Sequence, residues 1–134
     1  MRAMKAVLFI VLILSAGATG LVQSGFEEGM AAVRRNDYAM ALKEWEPIAE
    51  QGNSNAQNNL GVLYGSRGDL NNAIAAFRYG IEVAPDEDDL YLNLARTYVN
   101  MGERDKARSV IQQWLKRKPQ NHMALQALRA LEVK

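Results

Sequence analysis

One segment of this chain recurs after 34 residues, and this recurrence strongly limits the folds that the chain can adopt. Residues 54–85 reappear as residues 88–119. Repeats of this length are typical of two-helix units that bury their apolar faces only by stacking on neighbours, so an all-α short solenoid is predicted. The residues that match at this offset are Leu60 and Leu94, Gly61 and Ala95, Tyr64 and Tyr98, Gly68 and Gly102, Ala73 and Ala107, Phe77 and Ile111, and Pro85 and Pro119.

Apolar residues within the repeat recur at steps of three and four, as they do on one face of a helix. Leu60, Leu63 and Tyr64 form one such set, and Ala73, Ile74, Phe77 and Ile81 form the next. Gly61 and Ala73 are small where two helix backbones should come close. Gly68 suits the turn between the helices, and Pro85 should end the unit. Helices are therefore predicted near residues 25–35, 37–51, 54–67, 70–83, 87–101, 104–117 and 120–132.

Two runs of like charge stand at predicted helix ends. Residues 86–89 are all acidic and precede a helix, whereas residues 116–118 are all basic and end one. Acids near a helix start and bases near a helix end complement the helix dipole. Capping is therefore the predicted role of both runs, and an acidic or basic recognition patch is the alternative.

The matched residues resemble the signature of the tetratricopeptide repeat over nearly the whole chain after residue 24. The middle and third units fit this signature well, except that the third unit has Trp114 where the middle unit has Gly80. The first unit aligns at an offset of 32 and also resembles a Sel1-like repeat, a close relative. The resemblance implies three helix-turn-helix repeats and a C-terminal capping helix, at about residues 25–53, 54–87, 88–121 and 120–132.

The resemblance also implies a binding surface, because the first helices of such repeats line a concave groove that takes a peptide or a partner helix. Asparagines there can donate to and accept from a peptide backbone; solvated polar positions are the alternative. Of the basic residues with which some family members hold a terminal carboxylate, only Arg96 is present, so recognition of a free C-terminus is not expected. The implied groove residues are Phe26, Met30, Val33, Asn58, Asn59, Val62, Leu92, Asn93, Arg96 and Asn100.

Residues 1–20 have the pattern of a secretory signal peptide. Arg2 and Lys5 precede an apolar run over residues 6–14, and small residues follow it. Cleavage is expected after Ala18 or, alternatively, after Gly20. The competing interpretation is an uncleaved membrane anchor, although the run is shorter than the roughly 20 apolar residues that a spanning helix needs. Either interpretation places the repeats outside the cytoplasm, in the periplasm or secreted.

Little in the composition favours chemistry or nucleic-acid binding. The chain has no cysteine and one histidine, His122, so neither a metal site nor another cofactor is expected. The net charge is +1, and removing Arg2 and Lys5 leaves −1, whereas a phosphate-binding surface needs clustered bases. The predicted function is an exported, non-enzymatic adaptor that binds a protein or peptide. The alternatives are a membrane-anchored subunit of a secretion, pilus or polysaccharide assembly and, more distantly, an enzyme.

Overall fold

The computed structural model describes residues 20–133, which form seven helices and no strand. Helix α1 comprises the helical residues 20–34. None of the helices in this range is long and apolar enough to cross a membrane. The helices that follow are α2 (Tyr38–Glu50), α3 (Ser54–Ser66), α4 (Leu70–Val83), α5 (Asp88–Asn100), α6 (Arg104–Arg117) and α7 (His122–Glu132).

The predicted helices agree with these bounds within about two residues, except at the first one. Helical residues are already present at position 20, five residues before the predicted start at residue 25. The predicted leader over residues 1–20, with its cleavage after Ala18, falls almost entirely outside the described residues. Its cleavage therefore stays a prediction.

The chain forms two compact parts, and the division lies inside α2, between Ile48 and Ala49. In the first part, the ring of Trp45 is buried and lies where a side chain on Gly29 would be. The Nε1 atom of Trp45 donates a hydrogen bond of 3.2 Å to the carbonyl oxygen of Phe26. The packing of α1 on α2 thus depends on a glycine that makes room for an indole.

The second part repeats this arrangement between α3 and α4. A Cβ atom at Gly61 would lie only 2.4 Å from the Phe77 ring, so the ring occupies the space that the glycine leaves. The third repeat has Ala95 and Ile111 at the matching positions, both buried. A larger residue on the first helix is therefore matched by a smaller one on the second. The prediction that Gly61 stands at a close approach is confirmed.

Tight turns within the repeats use the left-handed backbone conformation. Asn36, Gly68 and Gly102 have φ angles of 60°, 79° and 77°, and they hold the same position in the three repeats. Glycine adopts this conformation without steric cost, and asparagine tolerates it better than most residues do. Each turn reverses the chain so that the second helix returns along the first.

The joint between the third repeat and α7 is built around Asp88. The fully buried Trp114 stacks on Tyr91 with ring centroids 5.8 Å apart, and its Nε1 donates to Asp88 Oδ1 at 2.7 Å. Lys118 Nζ donates to the same oxygen at 2.9 Å, and Asn121 Nδ2 donates to the other oxygen at 3.0 Å. One carboxylate thus ties together the start of α5, the end of α6 and the residue that caps α7.

The two charged runs also pair with each other. Arg117 donates from Nε and Nη2 to Asp86 Oδ1, at 3.0 and 2.8 Å, and Lys118 Nζ donates to the Asp86 carbonyl at 2.6 Å. Acidic residues do occupy the first turn of α5, and basic residues the last turn of α6. The predicted end positions are therefore confirmed, and pairing between the two charged runs is an additional role.

Candidate functional site

Two of the predicted groove residues on α3 and α5 contact each other. Asn93 Nδ2 donates a hydrogen bond of 2.9 Å to Asn58 Oδ1, which links the first helices of two successive repeats. Asn59 is half-buried, and Val62, one turn further along α3, is 50% exposed. An exposed valine next to amide groups gives this surface both apolar contact area and hydrogen-bonding capacity.

Three more of the predicted residues line an open groove between α5 and α7. The groove has a volume of about 490 Å³. It is within the range of 300–1,000 Å³ that is usual for binding pockets. Leu92 is half-buried, whereas Arg96 and Asn100 are exposed. The residues that line this α5–α7 groove are Leu92, Ala95, Arg96, Val99 and Asn100 of α5, Arg104 and Ile111 of α6, and Met123, Gln126, Ala127, Ala130 and Leu131 of α7.

Arg104 fixes the end of α7 beside this groove. Its Nη2 donates to the carbonyl oxygens of Leu131 and Val133, at 2.6 and 3.3 Å. The last carbonyls of a helix lack partners within the helix, and a cation there also meets the negative end of the helix dipole. The open end of α7 is therefore held against the start of α6.

The remaining predicted residues lie in the first compact part. Phe26, Met30 and Val33 are half-buried residues of α1. The Phe26 ring lies 6.2 Å from the Trp45 ring, centroid to centroid, and tilted by 36°. Phe26 thus packs α1 on α2 and is only partly exposed on α1.

Sequence reasoning missed the contribution of α7. It assigned α7 to capping alone, whereas Met123, Gln126 and Ala130 line the α5–α7 groove. A signal was present, because Ala130 lies 34 residues after Arg96 and Ala127 lies 34 residues after Asn93. Extending the repeat period by one unit would have found both residues.

A second groove lies on the other side of α5, between α4 and α6. Its volume is about 650 Å³. Its charged lining is balanced, with Arg78 and Lys106 against Glu82 and Asp105. The half-buried Tyr98 also lines it, which explains why this residue is less enclosed than a core position between two helices would be. This groove therefore has no charge preference of its own.

Models of the tetratricopeptide repeat match the chain over residues 26–89 and 66–131. A comparison with curated proteins finds no match. Solved structures do match, and the three described next are 14–21% identical to this chain; these likenesses show the fold.

Three solved structures illustrate the likeness. An O-GlcNAc transferase mutant from Thermobaculum terrenum has a TM-score of 0.67 and 21% identity, with 84% of this chain and 22% of that chain covered. A tetratricopeptide repeat protein from Parabacteroides merdae has a TM-score of 0.72 and 20% identity, with 84% of this chain and 46% of that chain covered. The first such domain of Spaghetti (RPAP3), bound to the HSP90 peptide SRMEEVD, has a TM-score of 0.69 and 14% identity, with 83% of this chain and 92% of that chain covered.

The chain spans less than half the length of the first two of these proteins. The family matches together extend from residue 26 to residue 131, which includes every helix from α2 to the last turn of α7. The paired helices, the left-handed turns and the glycine-to-ring packing described above fall within this range. The chain belongs to the tetratricopeptide repeat family.

Proposed function

We propose that this protein is a non-enzymatic adaptor that binds a peptide or a helix of a partner protein on the first helices of its repeats. The observation that carries the proposal is the Asn93–Asn58 hydrogen bond, because it joins predicted binding residues of two repeats into one surface. The domain of Spaghetti (RPAP3) with the same fold holds a peptide, which supports this class of function.

The side chains on this surface suit binding. Those named on α3 and α5 are amides, a guanidinium and alkyl groups. Asn58, Asn93 and Asn100 can pair with backbone groups of an extended segment. Val62 and Val99, 50% and 39% exposed, supply apolar contact. Catalysis is therefore not part of the proposal.

We also propose that the protein works outside the cytoplasm, as a periplasmic or secreted component of an envelope assembly. The leader pattern of residues 1–20 supports this location. A protein that keeps residues 1–20 as an anchor is the alternative. The Sel1-like character of the first repeat stays a prediction.

The binding proposal is tested by photo-crosslinking in living cells. A benzoylphenylalanine is placed at Val62 or at Val99, and at Tyr79 as the control. All three are exposed apolar residues, but Tyr79 lies on α4, the second helix of its pair. We expect one discrete adduct from Val62 and Val99 and none from Tyr79. An adduct from Tyr79 alone, or from no position, would contradict the proposed surface.

A further inference from the structure

The α5–α7 groove differs in character from the surface on α3. On α3 the predicted binding residues are mainly amides, whereas α7 lines its groove with one amide, Gln126, and with apolar residues, which are Met123, Ala127, Ala130 and Leu131. Met123 and Val99 are each 39% exposed, although both are large and apolar. Exposed apolar side chains around a concave groove mark a place where partners bind. The α7 end of the binding surface is therefore suited to an apolar side chain.

The charge of this groove is one-sided. Arg96 and Arg104 line it, and no acidic residue stands among its described lining residues. Within residues 20–133, no carboxylate forms an ion pair with Arg96. Arg104 donates to backbone carbonyls at the end of α7, so its partner there is the helix dipole and not a carboxylate. A guanidinium beside an apolar groove favours a carboxylate on the ligand, because the charged hydrogen bond strengthens as water is excluded.

The groove also has a direction. Leu92 and Met123 come from the first half of α5 and the first turn of α7, whereas Arg104 and Leu131 stand at the other end, where Arg104 binds α7. Arg96 lies one turn along α5 from Leu92. A ligand can therefore place an apolar side chain near Met123 and reach Arg96 with a carboxylate that lies a few residues away in the ligand's own sequence.

We propose that the α5–α7 groove binds a partner segment that carries a bulky apolar side chain and, close to it, the side-chain carboxylate of Asp or Glu. The segment is internal to its protein, and no free C-terminus is needed. This inference rests on the proposed function, because it specifies the partner of the same surface. Apolar burial supplies affinity, and pairing with Arg96 selects for acidic segments over basic ones.

The test uses short random peptides displayed with their C-termini fused to the carrier, so that no terminal carboxylate is free. They are selected on the purified protein. We expect enrichment of Leu, Ile, Phe or Trp near Asp or Glu. Enriched peptides without acidic residues would overturn the inference.

Two variants then test the groove with an enriched peptide, made with an amidated C-terminus. Arg96→Glu reverses the charge, and Ala130→Trp fills the groove from an exposed position. We expect each to weaken binding by about tenfold or more, as loss of a hot spot does. The matched controls are Arg78→Glu and Ala75→Trp, both exposed on α4, and these should bind within about twofold of the unchanged protein.

The outcomes separate this inference from the proposed function. If the peptide is lost on Val62→Asp but kept by Arg96→Glu and Ala130→Trp, the protein binds peptides and the groove assignment is wrong. If no peptide is enriched, both proposals fail. Circular dichroism of each variant checks that helicity is retained, so that a lost fold is not mistaken for a lost site.

Discussion

Single residues set how closely the paired helices approach. Gly29 and Gly61 leave room for the rings of Trp45 and Phe77, and both rings are buried. In the third repeat, Ala95 takes the place of the glycine, and Ile111, which is smaller than an aromatic residue, takes the place of the ring. Because protein interiors are close-packed, volume added on one helix must be removed from the other.

The first prediction tests this exchange of volume. Gly61→Ala should lower the free energy of unfolding by about 1–3 kcal/mol, because the new methyl group overlaps the Phe77 ring. Adding Phe77→Ile should restore part of that loss, so the double variant is more stable than the sum of the single changes predicts. Chemical denaturation of the four proteins measures the coupling.

Gly65→Ala is the matched control on the same helix. A Cβ atom there would lie 3.8 Å from the Cβ of Ala73, an ordinary contact. Alanine is the better helix former, so this variant should be as stable as the unchanged protein or more so. If Gly61→Ala behaves like Gly65→Ala, the ring does not set the distance between α3 and α4.

The second prediction concerns Asp88 and acid. Burial raises the pKa of its carboxyl, but hydrogen bonds from Lys118, Trp114 and Asn121 outweigh burial and lower the pKa below the ordinary value of 3.8. Because the pKa is lower in the folded state, the ionised carboxylate stabilises the fold at pH values above its ordinary pKa. That stabilisation is lost as the pH falls through the folded-state pKa. Asp88→Asn should therefore lower the melting temperature at neutral pH, with a difference that shrinks below pH 3.8.

The control for this prediction is Asp89→Asn, an exposed change in the same helix turn. Its effect on the melting temperature should be small throughout, as surface substitutions usually are. A deficit for Asp88→Asn that stays constant from neutral to acid pH would show that the charge of Asp88 is not what the joint uses.

Helices in this fold depend on their neighbours for stability. In the second compact part, α3 packs on α4, α4 on α5, α5 on α6 and α6 on α7. A Cβ atom at Gly80 would lie 2.7 Å from Leu90, which begins the next repeat. One repeat later the sizes are reversed, since Trp114 and Ala124 hold the matching positions and both are fully buried. Each joint therefore places one large and one small residue together.

The third prediction removes α7. A chain that ends at Pro119 should expose the cluster that contains Trp114 and Ile111, because Ala124 and Leu131 belong to the same cluster. A terminal repeat helix covers apolar surface that would otherwise meet water. We expect a lower melting temperature and strong binding of an apolar dye. A chain that ends at Glu132 keeps the whole helix and serves as the control.

The truncation has one outcome that would contradict the packing described here. A soluble monomer that ends at Pro119, with an unchanged melting temperature and no dye binding, would mean that α7 contributes no essential cover. In that case Trp114 would have to be shielded by α5 alone, through its stack on Tyr91.

At the scale of the whole molecule, the two ends of the chain are suited to different tasks. The predicted leader should direct export, whereas α7 covers the third repeat and lines the α5–α7 groove. Both tasks are compatible with one short chain, because repeat proteins are built from units that contact only their neighbours.

The fourth prediction tests export. Leu12→Arg should block translocation, because a charge at the centre of an apolar run costs about 2.5–3.5 kcal/mol on insertion scales. The precursor of this variant should accumulate. The unchanged protein should appear outside the cytoplasm, with the mass of a chain that begins at Thr19 or Leu21. Gln23→Arg, beyond the apolar run, is the control. An exported chain that retains Met1 would favour the anchor instead.

The sequence by itself determined the helices, their pairing and the family, because each repeat carries its own apolar spacing and turn residues. The 34-residue match of Gly68 with Gly102 predicts the turns, and Asn36 takes the same turn position in the first unit, which aligns with the second at an offset of 32. The resemblance also placed Asn58 and Asn93, which are 35 residues apart, on the same surface, because the first helices of successive repeats line one groove. Such local patterns need no knowledge of distant contacts.

Only the tertiary structure decided which distant groups meet. Asp86 and Arg117 are 31 residues apart, and each also suits a helix end, so sequence alone could not separate capping from pairing. The α5–α7 groove depends on where α7 packs, and that position is set by Trp114, Ala124 and the bond from Arg104 to Leu131. Local periodicity carries no information on such contacts, because they arise only when one repeat stacks on the next.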